Sequence, residues 1–450
     1  MGTLNITDGT ITVSFLDPAG LYIKRDGYRQ KVGHIDPETG EIPDVVDVLP
    51  CVWMVTTDDS RDTTLINLHR LAAKAQAYRR NRRKTDEVWM TMQTHSETNI
   101  RYCIVSDVQI AELEGGHFGA NSIVDLIVTI TREGAGRAVA PNGTPATVAA
   151  ATTLYMKNDT DGTNGLTIAP ASVPGDAPML TTIEIDPGTT NPIPIQYMVA
   201  TKAFDDATKA GQFDPLFEPT SELDNAGLQV ADTNAPDDVK LRSTADATLR
   251  WSLASGSRPL SVYAGDYLVF AAFEKSGIGT VTAQFSHGQG YITQPPIAVV
   301  SGGGTPATLH FLGRHRLPGG QYNPSLTNPT GYNLLLIMDV TGTATWDFFQ
   351  MWLVPIPNVL ELRGAAIDTN GVVVMDGIKE LSYEKSTGGV WRESSSSLFD
   401  ARGQYIQLEP GRYNRLFFFL QSNAGLVVFN WDFSVTIKGV ARHLGIRGNT

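Results

Sequence analysis

With 450 residues, 42% of them hydrophobic, the chain is too long for one core and apolar enough to bury several, so roughly two to four domains are expected. Its net charge of −12 excludes the basic field of a dedicated nucleic-acid binder, and no sequence-specific nucleic-acid partner is expected. No apolar run approaches a membrane span and no basic segment leads into an apolar stretch at the N-terminus, so neither membrane insertion nor a secretory leader is expected.

The first block runs from residue 1 to 137. Alternating patterns predict strands over Thr10 to Leu16 and over Tyr22 to Val32, the second broken at Asp26-Gly27. A loop, HIDPETGEIPD, separates them from a strand over Val48 to Thr56. Then comes a helix in an otherwise strand-and-turn sequence, TLINLHRLAAKAQAYRRNRR, over residues 64–83. Leu65, Leu68, Ala72, Ala75 and Tyr78 share one face at 3.6-residue spacing, and Asp62, Thr63 and Thr64 offer N-cap side chains. The Arg-rich end complements the helix dipole. Strands follow at Val88 to Met92, Arg101 to Val105 and Ser122 to Glu133. Fold class is therefore mainly β: a β-sandwich scaffold with one packed α-helix.

A Gly/Ala/Pro-rich stretch, 138–147, reads as a linker into a second block, 148–357. Nine short apolar runs punctuated by Gly, Pro and Asn predict an antiparallel sandwich there, a jelly-roll module. The stretch Phe213 to Val239, rich in Asp, Pro and Asn, reads as a long surface loop, and Phe204 to Gly211 as a brief helical interlude. The third block, 358–450, is again β and completes the scaffold. It has a hairpin turn at Asn370-Gly371 and a tight turn at Pro410 to Arg415, and its last strand sets Phe433, Val435 and Ile437 on one face.

The cluster Arg70, Lys74, Arg79, Arg80, Arg82, Arg83 and Lys84 has three readings, of which a phosphate-binding patch ranks last because no aromatics interleave with the arginines. The plain one is a solvated helix face; the sharper one is a subunit interface, with Glu38 and Glu41 of the acidic loop as partners. Only two cysteines occur, Cys51 and Cys103, with no metal-ligand spacing, so both are expected to be buried thiols.

No catalytic constellation stands out: there is no G-x-S-x-G elbow, H-E-x-x-H or phosphate loop. Ser286 and His287 are neighbours on a strand and point to opposite faces, and His310 and His315 flank an LGR turn with no third ligand in view. Asp159 and Asp161 open like a calcium loop, but the twelfth position is Pro170. No metal or cofactor is therefore expected. Strict alternation along TWDFFQMWLVPI puts Trp346, Phe348, Gln350 and Trp352 on one face and Asp347, Phe349, Met351 and Leu353 on the other, both apolar enough for core packing. Trp251, Tyr291 and Tyr322 remain as exposed rings able to stack on a sugar.

The block HRLAAKAQAYRRNRRKTDEVWMTMQTHSETNIRYCIV with the strand IVDLIVTITRE resembles tail structural proteins of tailed bacteriophages. GDAPML, HFLGRHRLP and TWDFFQMWLVPI look like jelly-roll modules of such proteins, and LEPGRYNRLFFFL with VARHLGIRG is similar to their closing part. The resemblance implies a non-enzymatic virion subunit of the distal tail or tail tip. It would be assembled in the host cytoplasm as a ring homo-oligomer (a hexamer or another multiple of three) with other tail proteins. Its carbohydrate-binding-like module would face a host-surface glycan. A polysaccharide-binding protein or hydrolase, and a capsid-decorating protein, are the alternatives.

Overall fold

The computed structural model describes residues 2–17, 21–24, 28–32, 42–55, 58–81, 86–93, 100–114, 122–140, 143–156, 164–186, 195–205, 213–253, 262–288, 297–299, 305–318, 332–356, 358–364, 371–386, 399–422 and 432–443. They divide into two compact units, one of residues 1–146, 174–179 and 440–450, the other of residues 147–173 and 180–439.

The first unit contains strands β1 (Thr3–Thr7), β2 (Thr12–Ser14), β3 (Leu21–Ile23), β4 (Arg29–Val32) and β5 (Val45–Val55), the helix α1 (Asp58–Asn81), then β6 (Trp89–Gln93), β7 (Arg101–Glu114), β8 (Ser122–Arg132) and β9 (Gly136–Arg137). Antiparallel pairing gives the order β2-β1-β6-β7-β8-β5-β3. The two ends of that order meet again, through the Leu16–Tyr22 bridge and the Ile23 N–H donating to the Phe15 carbonyl at 3.1 Å. The sheet thus closes on itself, which leaves few unpaired edges.

Helix α1 packs one face into the core of this closed sheet. Leu68, Leu71, Ala72 and Ala75 are buried in one core with Ile6, Phe15, Trp53, Met90 and Val105. Leu65 and Tyr78, on the predicted stripe, are half-buried at its margins. The helix begins at Asp58, so Asp62, Thr63 and Thr64 lie within it and are not its cap. Burial of Leu68 and Leu71 selects the helix, and it outweighs the small propensity cost of two threonines. Both cysteines are buried free thiols, and burial pushes Cys51 up to about 12 and Cys103 up to about 11. Beside Cys103, the buried Arg132 pairs with the buried Asp47, which also accepts from the Tyr28 hydroxyl at 2.8 Å.

The second unit takes most of β10 (Ala146–Tyr155), β11 (Leu166–Ile168), most of β12 (Ala177–Asp186), β13 (Ile195–Asp205), β14 (Leu216–Phe217) and β15 (Gln229–Ala231). Eight strands follow: β16 (Val239–Ser243), β17 (Ala247–Ser252), β18 (Gly265–Ser276), β19 (Val281–His287), β20 (Ile297–Val299), β21 (Thr305–Leu317), β22 (Asn333–Val340) and β23 (Thr345–Ile356). The first of the eight pairs with the last, the second with the seventh, the third with the sixth and the fourth with the fifth. A four-layer ribbon of this kind rolls into two sheets, β16-β23-β18-β21 and β17-β22-β19-β20, which is jelly-roll wiring.

The chain then continues through β24 (Val359–Gly364), β25 (Gly371–Asp376), β26 (Leu381–Ser386), β27 (Phe399–Gly403), β28 (Gln407–Leu408), β29 (Tyr413–Ser422) and β30 (Asp432–His443). One sheet is β11-β29-β13-β24-β27, and Phe418 of β29 meets Phe433 of β30 edge-on across a second sandwich. Phe433, Val435 and Ile437 are buried, as the alternation requires. The turn after β28 is tied by Asn414, whose carboxamide accepts from the Glu409 N–H at 2.7 Å and donates to the Glu409 carbonyl at 2.9 Å.

Three expectations need correction. The LGR segment is no turn: it lies inside β21, where the pairing steps from Val269↔Gly313 to Phe270↔Phe311 and leaves Leu312 as the extra residue of a β-bulge. Gly313, at φ +112°, supplies the left-handed backbone there. Strict alternation along β23 also fails, because its partners step from Phe273↔Phe348 to Ala272↔Gln350 and Phe349 is the extra residue. Phe348 therefore meets Trp251 inside the jelly roll, while Trp352 meets Phe419 of β29. Finally, Phe213 to Val239 is not simply a surface loop. Phe213, Leu216 and Phe217 are buried, and buried Glu222 accepts from the backbone N–H groups of Asp224, Asn225 and Arg250, fastening the segment to β17. Turn-forming composition marks where a chain bends, not whether water reaches it. The proposed helix over Phe204 to Gly211, the Asn370-Gly371 turn and the Asp159–Asp161 loop lie largely outside the described residues.

Candidate assembly surface

Every feature of α1 follows from its periodicity. The residues that seal the closed sheet recur at three and four positions, so the side a half-turn away must meet solvent. That side carries Ile66, 47% exposed, with His69, Arg70, Ala73 and Arg80; Arg79 is exposed at the last turn. Arg80 donates from Nε to the Gln76 carbonyl at 3.3 Å, and Gln76 donates to Asp107 of β7 at 3.3 Å.

Lys74 stands apart from the other basic residues. Its ammonium is paired with the buried Asp8 carboxylate, in the turn between β1 and β2, which also accepts from the Thr10 and Ile11 N–H groups at 2.8 and 2.6 Å. Against the burial that would raise it, these bonds and Lys74 hold the Asp8 carboxyl below the usual range. Lys74 thus fastens the helix to the sheet within its own unit. Among the described residues of the helix cluster, the outward cations are Arg70, Arg79 and Arg80. Arg82 and Arg83, with the acidic pair Glu38 and Glu41, lie outside the described residues.

The sugar-stacking set does not survive for Trp251. Its ring is 1% exposed, packed between Phe217 and Phe348, with Nε1 donating to the Glu218 carbonyl at 3.1 Å. An indole in a strand whose neighbours are Leu249 and Leu253 is a core residue, and the partner on its N–H was invisible in the linear pattern. Tyr291 and Tyr322 lie outside the described residues.

Among the described residues no group of three or more His, Cys, Asp or Glu side chains is arranged to hold a metal. No described helix is long and apolar enough to cross a membrane. The charged clusters found are packing devices that the linear sequence hid. Asp347 receives a two-pronged bond from Arg242, both contacts 2.6 Å, and shares Lys240 with Asp232 at 2.9 and 2.8 Å. Glu184 of β12 is held by Lys385 and Lys438, each at 2.8 Å. Lys202 is buried on β13, donating to the Gln407 carbonyl at 2.5 Å, with Glu409 at 3.6 Å.

No protein-family model and no curated protein sequence matches the chain. Solved structures that resemble it include the phage P2 baseplate in its activated conformation with Ca, at 8% identity and TM-score 0.23, covering 97% of this chain and 98% of that one. The phage p2 baseplate with Sr follows at 8% identity and TM-score 0.17, covering 77% and 97%. The infectious bursal disease virus VP2 subviral particle has 10% identity and TM-score 0.14, covering 74% and 79%. Overlaps this small carry no argument about fold or function.

Proposed function

We propose that this chain is a non-enzymatic structural subunit of a bacteriophage tail. In this reading it forms a ring at the distal tail or tail tip, joins other tail proteins there, and turns its jelly roll outward as a host-facing module. The sequence resemblance supports the reading, since it touches all three blocks. The observation that carries the ring is α1. One side completes a closed sheet, and the other sets Arg70, Arg79 and Arg80 toward solvent on a chain of net charge −12. A cationic face on an acidic protein is complementary to the remaining surface of its own copies, and a repeated contact of that kind is heterologous and makes a ring where its rotation closes.

Light scattering of the purified chain across concentration and salt tests this. A closed hexamer, or another multiple of three, that dissociates as salt rises is the expected result. Arg79→Glu with Arg80→Glu should leave a folded monomer. A monomer at every concentration and salt, or an assembly untouched by the charge reversal, would overturn the helix-mediated ring.

A further inference from the structure

We propose that the jelly roll is an acid-sensitive clasp, in which His287 and His315, facing each other from the two sheets of one β-sandwich, hold those sheets together only while they are neutral, with His310 half-buried on the same face of β21. The bulge at Leu312 creates the arrangement. Five positions separate His310 from His315, which would put them on opposite faces of a regular strand. The extra residue restores them to one face, opposite Ala271 and Tyr267 of β18. From the other sheet, His287 of β19 reaches the same interior.

The rings of His287 and His315 lie 5.8 Å apart at 85°, and Phe285 packs edge-on against His315 at 4.7 Å. His315 Nε2 is 3.1 Å from the Leu312 carbonyl, so that nitrogen carries a proton and donates. His287 Nδ1 is 2.5 Å from the Tyr332 hydroxyl. His310 stacks on Phe273 at 4.1 Å and shares a 2.7 Å bond with the Thr308 hydroxyl.

The surroundings offer no described counter-charge. Tyr263, Tyr267, Tyr332, Phe273 and Phe285 line this interior, and further along β18 the buried residue is a cation, Lys275. The carboxylates nearby are engaged elsewhere: Asp266 with Arg314, Glu274 beside the Asp347–Arg242–Lys240 network, and Asp339 exposed on β22. Burial pushes His310 down to about 4, and burial with the neighbouring His315 holds His287 below the ordinary range; burial does the same to His315. A histidine neutral in the fold and protonated when released binds more protons in the open state. The clasp is therefore fully closed above about pH 6.5, the ordinary histidine value, and weakens as pH falls toward 4. Each histidine contributes up to about a tenfold rise in the opening equilibrium per pH unit.

Amide hydrogen exchange of the full chain between pH 7.5 and 4.5, corrected for the intrinsic rate, reads the opening directly. Peptides from β19, β21 and β22 should lose protection progressively below about pH 6.5, by up to about tenfold per pH unit for each histidine, while β5 and β8 change less. Replacing His287 and His315 together by Gln should flatten that dependence. Should that variant fail to fold, exchange of the imidazole C2–H in the unaltered protein gives each histidine's titration point. Three values below the ordinary histidine range support the clasp. Protection that ignores pH, or values for His287 and His315 at or above that range, would overturn it.

Discussion

Trp352 and Phe419 lie with ring centroids 4.8 Å apart and planes inclined at 34°, joining β23 of the jelly roll to β29 of the second sandwich. Trp352 also donates from Nε1 to the Gln350 side chain at 2.6 Å, and Gln350 donates onward to Glu218 at 3.0 Å. An aromatic pair with a satisfied polar edge fixes both distance and rotation between two sheets.

Trp352→Ala should therefore cost about 3–5 kcal/mol of the second unit's stability, the range for emptying a buried indole site. Trp352→Phe should keep most of the ring contact and cost less, chiefly the bond to Gln350. Urea unfolding followed by circular dichroism checks both. A loss under about 1 kcal/mol for the alanine variant would show that the two sandwiches do not depend on this contact.

In the first unit, Asp47 and Arg132 form an ion pair inside the closed sheet, with Tyr28 as a third member. Asp47→Ala leaves a buried guanidinium without its carboxylate and should cost about 3–5 kcal/mol. Removing both charges, Asp47→Leu with Arg132→Met, should recover much of that loss, because desolvating the pair offsets most of its attraction. Thermal melts of the single and double variants distinguish a pair that stabilises from one that merely avoids a lone buried charge.

Lys202 gives the second unit a basic-side pH dependence. Burial lowers its ammonium to about 8, against the opposing pull of Glu409. Between that value and the unfolded value near 10.4, the unfolded chain binds more protons than the folded one. Stability from this group therefore rises as pH increases from 8 toward 10, the reverse of a lysine held by a strong partner. Lys202→Met should abolish that rise. Urea midpoints at pH 7.5, 8.5 and 9.5 measure it, and equal slopes in both proteins would refute the assignment.

The parts of this fold that were legible in the sequence are those with one dominant period. α1 shows its buried stripe plainly, and β22 and β23 begin where the apolar runs begin, at Asn333 and Thr345. What a period cannot carry is an inserted residue. One extra position at Phe349 sends Trp352 away from Phe348, and one at Leu312 brings His310 and His315 together. Neither bulge has a local signature beyond Gly313. Trp251 failed as a sugar platform for a related reason: its cover comes from Phe217, 34 positions earlier, in a segment whose composition reads as loop. The cationic helix face was visible, but Lys74 was not separable from it, because Asp8 is distant in sequence and reaches the helix only through the β1–β2 turn.

At the end of the jelly roll away from the histidines, the turns after β18 and β22 are bound to each other. Thr343 N–H donates to the Ile278 carbonyl at 2.7 Å and Thr341 N–H to the Thr280 carbonyl at 2.9 Å. Gly279 sits at φ +140°, and a Cβ there would come within 1.8 Å of the Thr341 carbonyl oxygen. Gly279→Ala should consequently force the two turns apart and cost about 1–3 kcal/mol, strain and lost bonds together. Its neighbour Ile278 is 84% exposed, so Ile278→Ser should change the melting of the isolated chain by no more than about 0.5 kcal/mol. The two substitutions separate backbone geometry from side-chain packing at adjacent positions. If alanine at 279 were as harmless as serine at 278, the paired turns would contribute nothing to holding the ends of β18, β19, β22 and β23 in register.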